Sequence, residues 1–169
     1  MSVLRTAALL VAAVTTGLVA GLFYAYACSV MPGLARADDR TFVEAMQRIN
    51  VAILNGWFAV CFVGAPVACA LAAALHPGGD ERPVLSWTVA ALVLYAVVLV
   101  VTFRVSVPLN DALAAAGEAG GLADPAAVRA SFEARWVRWN TVRAVAATAS
   151  FGCLAWALVL HGRLLRPGG

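Results

Sequence analysis

The stretch PVLSWTVAALVLYAVVLVVTF, residues 83–103, carries no charged side chain. A helix of that length crosses the roughly 30 Å of hydrocarbon in a bilayer. Similar uncharged stretches occupy residues 6–35, 49–79 and 144–162. Over the whole chain 63% of residues are hydrophobic and 12% are charged, and the mean hydropathy is +0.87, which is far above that of a soluble domain. The sequence therefore predicts an integral membrane protein.

The four stretches predict an all-α fold, a single four-helix up-down bundle that takes up residues 1–169. No remaining segment is long enough for a separate soluble domain. Short interfacial helices are expected before spans two and four, at residues 41–48 and after Asp124-Pro125, because Asp caps helices and Pro favours their first position. The four spans are placed at about residues 6–31, 49–76, 84–107 and 139–162.

Prolines mark positions where the helical hydrogen bonding must change. Pro66 leaves the carbonyl of Phe62 without its helical partner, which predicts a kink in span two. Span one is expected to end near Pro32. The second helix is expected to start near residues 41–48 and to run without a break through Asn55.

All twelve basic residues are arginine, which is typical of a GC-rich bacterial genome and places the protein in the bacterial inner membrane. Both termini are placed in the cytoplasm, because Arg5, Arg163 and Arg166 flank spans with no nearby acid. A cleaved signal peptide is rejected, since the first apolar run is too long for one. The net charge of +3 indicates no nucleic-acid partner, so the expected partners are the bilayer and a small ligand, and a homo-oligomer stays open.

Polar residues within or beside the apolar stretches gather near one side of the membrane, opposite the termini, which we call the connection side. Polar groups at that depth are costly unless they face the interior and find partners. The sequence therefore predicts one polar pocket in one leaflet. All four helices contribute to it, with Tyr24, Tyr26, Ser29, Glu44, Gln47, Asn50, Asn55, Arg104, Asn110, Asp111, Trp136, Trp139, Asn140 and Arg143.

Each of these residues also has a structural interpretation. Tryptophans anchor helices at the membrane interface, asparagines join helices by hydrogen bonds, and arginines near helix ends extend to the headgroups. The coincidence on all four helices favours the pocket.

Histidines and cysteines do not indicate a metal or redox centre. His76 and His161 fall at the end opposite the pocket and are interpreted as interfacial polar residues, with a bis-histidine haem as the alternative. No metal site and no cofactor are expected. Four cysteines lie within predicted spans without C-x-x-C spacing and are interpreted as small core residues: Cys28, Cys61, Cys69 and Cys153.

Several of the polar residues belong to motifs that resemble the anthrone oxygenase-like family of small membrane proteins. The motifs are Met31-Pro32-Gly33-Leu34, Phe42 to Gln47 with Ile49-Asn50, Ile53-Leu54-Asn55, Val107-Pro108-Leu109-Asn110 and Trp136-x-x-Trp139-Asn140-x-x-Arg143. The family takes its name from fungal polyketide-pathway members that oxidise anthrones to anthraquinones. The resemblance carries this family's pattern onto Asn50, Asn55, Pro108, Asn110, Trp139, Asn140 and Arg143.

The implied chemistry is the removal of a benzylic proton to form an enolate that reacts with oxygen without flavin or metal. Asp111 is the first candidate for the base and Glu44 the second, although both are also interpretable as surface acids. Arg143 or Arg104 would stabilise the oxyanion, and Asn140 would orient it. The expected substrate contacts are Trp139, which would stack on the tricycle, with Trp136, Asn50, Asn55, Asn110 and Tyr24.

Two other functions stay open on the sequence alone. The pocket could bind or transport a small lipophile, or the chain could be a structural membrane subunit. Transport would need a polar path from the pocket toward His76 and His161. Residues 60–75 and 85–102 carry almost no polar side chain, which argues against such a path.

Overall fold

Helices make up nearly all of residues 2–165, the part of the chain that this computed structural model describes. Arg166, one of the arginines used to predict the orientation, lies outside those residues. The α-helices of the described part are α1 (Ser2–Ala25), α2 (Met31–Leu34), α3 (Asp39–Ala52), α4 (Gly56–Ala74), α5 (Arg82–Val101), α6 (Val107–Ala115) and α7 (Pro125–Leu164). Two π-helical turns, Tyr26–Val30 and Thr102–Ser106, join α1 to α2 and α5 to α6.

Within the described residues, four continuous helical stretches are long and apolar enough to cross a membrane: Ser2–Leu34, Gly56–Ala74, Gly79–Ala115 and Pro125–Leu164. Their number and their helical structure confirm the predicted all-α fold with four candidate membrane spans. α7 packs against α1 and α5, and α4 packs against the same two helices. The interior between them contains small residues, among them Ala65, Ala91 and Ala147, which let the helices approach closely.

The prediction that the second helix runs through Asn55 is wrong. α3 ends at Ala52 and α4 starts at Gly56, with Asn55 between them in an extended conformation (φ −123°, ψ 164°). The Asn55 side-chain oxygen accepts a hydrogen bond from the backbone N–H of Phe58 at 3.0 Å. Asn55 therefore caps α4, because its short amide competes with the helical backbone for hydrogen bonds.

A separate short helix was predicted before span four. In the structure that segment and the span form a single helix. α7 runs unbroken from Pro125 to Leu164, and Asp124 caps it by accepting from the N–H of Ala127 at 3.0 Å. Neither Gly nor Pro occurs in residues 126–151, so nothing in the chain interrupts the helix. At 1.5 Å per residue α7 is about 60 Å long, roughly twice the thickness of the hydrocarbon layer.

α3 lies across the connection side. Its cap is Asp38, whose carboxylate accepts from both the hydroxyl and the N–H of Thr41, and these bonds lower the pKa of Asp38. The apolar side of α3 packs on protein, in a buried group that we call the connection-side cluster. The buried members of this cluster are Met31, Phe42, Val43, Met46, Leu113, Ala119, Phe132 and Trp136.

The two π-helical turns follow from the prolines. Pro32 and Pro108 each lie two residues beyond such a turn, and the residue four before each proline is the middle one of the turn. A proline ring collides with the carbonyl four residues earlier and offers it no N–H, and a wider turn relieves both problems. Because these turns end α1 and α5 on the connection side, they change which side chains face the interior there.

Pro66 lies inside α4, and the carbonyl that it leaves unpaired belongs to Phe62. The fully buried Tyr95 of α5 donates its hydroxyl to that carbonyl at 2.8 Å. The predicted loss of the helical partner is therefore compensated by a neighbouring helix, as membrane interiors require.

Replacing Tyr95 with phenylalanine is expected to lower the free energy of unfolding by about 1–3 kcal/mol, because the carbonyl of Phe62 is then buried without a donor. Denaturant unfolding of the detergent-solubilised protein measures this change. Pro66→Ala restores an N–H to the helix, so Tyr95→Phe should cost less in that background. An equal cost in both backgrounds would show that the Tyr95 hydroxyl does not replace the missing helical bond.

His76 and His161, which were interpreted as interfacial polar residues, are both buried within the protein. His76 Nε2 lies 3.2 Å from His161 Nδ1, and His161 Nε2 lies 3.0 Å from the hydroxyl of Thr6. His76 Nδ1 lies 2.7 Å from the carbonyl of Ala72. These contacts make the two histidines a hydrogen-bonded pair that also contacts Thr6 and the carbonyl of Ala72.

Arg5 is paired with an acid, contrary to expectation. Its guanidinium bonds to the carboxylate of Glu81 and to the carbonyl of Leu75, the latter at 2.7 Å. These contacts, with those of Thr6 and His161, join the two ends of the described chain to the α4–α5 connection. The argument for cytoplasmic termini loses the support of Arg5.

Candidate functional site

A cavity of about 250 Å³ lies on the connection side and is lined by residues from all four candidate spans and from α3. It lies mostly against apolar side chains, including Phe23, Leu54 and Phe58. Its polar lining residues are Tyr26, Gln47, Asn50, Thr102, Ser106, Asn110, Asp111, Trp136, Asn140 and Arg143. The structure thus places six of the ten predicted site residues around one cavity: Asn50, Asn110, Asp111, Trp136, Asn140 and Arg143.

Arg143 is the buried cation of this cavity, with 6% of the residue exposed. Its Nη2 donates to Asn140 Oδ1 at 3.1 Å, its Nη1 lies 3.5 Å from the hydroxyl of Thr102, and its Nε has no partner. The guanidinium carbon lies 4.4 Å from the ring centroid of Phe23. Among the described residues no carboxylate comes within 4.0 Å of its nitrogens. The positive charge of Arg143 is therefore surrounded by the amide of Asn140, the hydroxyl of Thr102 and the ring of Phe23. The N–H at Nε stays available as a donor to an anionic oxygen.

Asn140 holds Arg143 in place. It is 1% exposed, its Nδ2 donates to the carbonyl of Phe23 at 3.0 Å, and its Oδ1 accepts from Arg143. The sequence predicted that Asn140 would orient the substrate oxyanion. In this geometry its bonds go to the protein, so it acts on a ligand through Arg143.

Trp136, and not Trp139, lines the cavity. The indole N–H of Trp136 donates to Asn110 Oδ1 at 3.0 Å, and its ring centroid lies 5.5 Å from that of Tyr26. Trp139 is half-buried and outside the cavity lining. Helical spacing places Trp136 and Arg143 on one face, two turns apart, with Trp139 at the edge of that face. Because α7 packs against the segments that carry Tyr26 and Asn110, Trp136 faces the cavity and Trp139 does not.

Tyr24, Asn55 and Arg104 are also outside the cavity lining, contrary to the prediction, and all three are exposed. Tyr24 is two residues before Tyr26 in the helix, and it is the side chain of Tyr26 that faces the cavity. Arg104 is the middle residue of the second π-helical turn, whose first and last residues face inward. The side-chain oxygen of Asn55 is used in the cap of α4.

Glu44, the second candidate for the base, is exposed on α3 and bonds to Arg48 at 2.5 Å. Asp111 is the remaining candidate: it is exposed to the outside and also lines the cavity, so it lies at the mouth. Asn50 is half-buried, and its Nδ2 is buried without a partner. Asn50 therefore offers the cavity a second free donor beside Arg143.

Two polar lining residues, Thr102 and Ser106, were not selected from the sequence. The signal was present, since hydroxyl residues four apart in an otherwise apolar span share one helix face. Gln47 also lines the cavity, but its Nε2 donates to the carbonyls of Leu113 and Gly117, both at 2.9 Å. It joins α3 to the end of α6.

A polar path through the bundle is interrupted. Between the cavity and the histidine pair lies a layer of four fully buried apolar residues, Leu9, Ala72, Val84 and Ala157. This layer is one helical turn from His76 and His161 on α4 and α7. The arrangement disfavours transport of a polar solute across the protein.

In residues 2–165 no three His, Cys, Asp or Glu side chains are grouped so that they could hold a metal ion. The four cysteines of the described chain are free thiols. Cofactor-independent chemistry stays a prediction that needs its own test.

Comparison with known protein families matches residues 57–153 to anthrone oxygenase, which is more than half of the chain. The match covers α4 to most of α7 and contains Asn110, Asp111, Trp136, Asn140 and Arg143. The motifs from Met31 to Asn55 lie outside it, so the resemblance noted over nearly the whole sequence is supported for its larger, C-terminal part. Neither the curated proteins nor the solved structures contain a match.

Proposed function

Because the chain belongs to the anthrone oxygenase family, we propose that it oxidises a lipid-soluble anthrone or a related phenol in the connection-side cavity. The observation that carries the proposal is Arg143, a buried guanidinium with a free Nε and no carboxylate partner among the described residues. A buried cation without a counter-ion is costly unless a ligand supplies negative charge. An enolate oxygen is such a ligand.

The reaction starts with Asp111, whose carboxylate takes the benzylic proton of the anthrone as general base. The electron pair moves onto the carbonyl oxygen, where Arg143 stabilises the resulting enolate. Dioxygen takes the electron pair of the enolate: one oxygen atom bonds to the enolate carbon, and the other accepts the proton from Asp111, which gives a hydroperoxide. Loss of water then leaves the quinone carbonyl, with one oxygen atom in the product and the other in water.

The rings of Tyr26 and Trp136 support the binding of a flat substrate. They lie 5.5 Å apart at the cavity wall, and Trp136 is held by its bond to Asn110. Aromatic rings favour stacking on a tricyclic ligand. Asn50 Nδ2, which is buried and unpartnered, would donate to a second oxygen on that ligand.

The proposal places one domain, residues 1–169, as an up-down bundle in the bacterial inner membrane with the termini in the cytoplasm. The depth of the bundle in the membrane is supported by α7, along which Arg143 and His161 are separated by 18 residues, or about 27 Å. That distance matches the hydrocarbon thickness, so the two buried polar groups fall at its two edges. α3 and the first turns of α7 then lie at the interface.

The proposed activity is tested by anthrone-dependent oxygen uptake and anthraquinone formation. Purified wild-type protein in detergent, treated with a metal chelator, is expected to exceed the spontaneous rate, with one oxygen molecule used per quinone. Binding of anthraquinone without turnover would instead favour a lipophile-binding protein, the alternative function for the same cavity.

Replacing Asp111 with asparagine is expected to lower turnover by about 10²–10⁴-fold, because the amide cannot accept the benzylic proton. Anthraquinone binding, measured by quenching of tryptophan fluorescence, should be retained. Glu44→Gln is the matched control, since Glu44 is an exposed acid outside the cavity. Equal losses in the two variants, or full activity in Asp111→Asn, would remove Asp111 from this role.

A further inference from the structure

The mouth of the cavity is apolar on both sides. The lining residues that are exposed to the outside are Val51, Leu54, Val107, Asp111 and Ala114. Val51 is 73% and Leu54 80% exposed, at the end of α3 and in the break before α4. The other three belong to α6. Asp111 is the one charged side chain at this rim.

The cavity is covered on its aqueous side. The connection-side cluster packs α3, α6 and the start of α7 together, with Phe42 and Met46 fully buried. Gln47 adds two hydrogen bonds from α3 to carbonyls at the end of α6. Trp136 belongs both to this cluster and to the cavity wall. A solute arriving from water along the bundle axis would meet this packed layer.

The mouth therefore opens sideways, at the level where the spans leave the hydrocarbon. An exposed apolar rim is unfavourable in water and favourable beside acyl chains. Trp57, 88% exposed in the first turn of α4, lies close to Leu54 in the chain and is of the type that anchors helices at the interface. The break at residues 53–55 leaves a gap in the helical wall at this place.

We infer that the cavity takes its ligand sideways from the bilayer, through the gap between residues 51–54 and α6. This inference rests on the proposed function and specifies its substrate class: an uncharged, flat, bilayer-dissolved molecule that acquires negative charge only after it reaches Arg143. Asp111, at the rim, lies where a proton taken from the ligand can pass to the headgroup region. Permanently charged aromatic acids are excluded by the apolar rim.

The test uses protein reconstituted in phospholipid vesicles and two probes, 9,10-anthraquinone and its water-soluble 2-sulfonate. Association is followed by the quenching of tryptophan fluorescence after mixing with probe-loaded vesicles. For anthraquinone the rate is expected to follow the mole fraction of probe in the bilayer when lipid is varied at constant total probe. The sulfonate is expected to bind at least about tenfold more slowly.

Two variants narrow the mouth, Val51→Phe and Val107→Phe. Each is expected to slow anthraquinone association by about tenfold, because a phenyl ring narrows the gap through which the probe must pass. Val60→Phe and Val63→Phe are the matched controls, since both residues are exposed on α4 outside the cavity. Their association rates should stay within about twofold of the wild type.

An equilibrium titration in detergent separates the two proposals. If the wild type binds anthraquinone there, and the vesicle rates are unaffected by Val51→Phe and Val107→Phe or follow the aqueous concentration, sideways access is overturned and the proposed function stands. If the wild type binds the probe neither in detergent nor in vesicles, both are overturned.

Discussion

Replacing Arg143 with leucine is expected to abolish most of the anthrone turnover, with a fall of about 10²–10³-fold in kcat. Arg143 is the buried cation of the cavity, and its free Nε is the donor available to a developing enolate oxygen. Arg143→Lys should recover only part of the loss, because an ammonium lacks the planar set of donors and the contact with the ring of Phe23. Steady-state oxygen uptake measures all three proteins.

The stability of Arg143→Leu distinguishes a functional role from a structural one. A buried charge without an acidic partner carries a desolvation cost, which an apolar side chain in its place removes. We therefore expect the free energy of unfolding to stay within about 1 kcal/mol of the wild type or to rise. Arg138→Leu, an exposed arginine on the same helix, serves as control and should keep activity. A strongly destabilised Arg143→Leu would show instead that this guanidinium supports the fold.

Replacing Trp136 with alanine is expected to lower the free energy of unfolding by about 3–5 kcal/mol and to abolish anthraquinone binding. Trp136 is 5% exposed, packs with Phe132 in the connection-side cluster and forms part of the cavity wall. Trp139→Ala is the matched comparison on the same helix. Trp139→Ala should lower the free energy of unfolding far less, because Trp139 is half-buried and outside the cavity.

The same pair of tryptophans separates the two interpretations of the motif Trp136-x-x-Trp139. The sequence predicted stacking by Trp139, whereas Trp136 is the tryptophan of this motif that lines the cavity. Trp136→Phe keeps a ring and removes the N–H that bonds to Asn110, so it should remain folded and lose about 1 kcal/mol of stability. Greater loss of anthraquinone binding in Trp139→Ala than in Trp136→Phe would restore the original prediction.

The predictions that held concern single helices and their ends. The uncharged stretches identify the four candidate spans because a bilayer admits only helices long and apolar enough to satisfy their own backbone. Asp124 and Pro125 begin α7 as expected, since capping depends on residues close in the chain. Pro66 deprives the carbonyl of Phe62 of its helical partner for the same local reason.

The predictions that failed concern the surroundings of side chains. His76 and His161 are separated by 85 residues, yet they bond to each other inside the bundle, where the sequence alone indicated two interfacial polar residues. The sequence placed Asn55 in the pocket or in a hydrogen bond between helices, whereas the break before α4 makes it the cap of that helix. These outcomes depend on which helices meet.

Hydropathy by itself determined the four candidate membrane spans, and spacing indicated a set of polar residues near one end of those spans as candidates for a pocket. Tertiary structure decided which of those residues share a cavity: Tyr26 in place of Tyr24, Trp136 in place of Trp139, and Arg143 without Arg104. The physical reason is rotation about the helix axis. Each residue turns the side chain by about 100°, so the two π-helical turns and the packing between helices select the inward face, and neither is visible in composition.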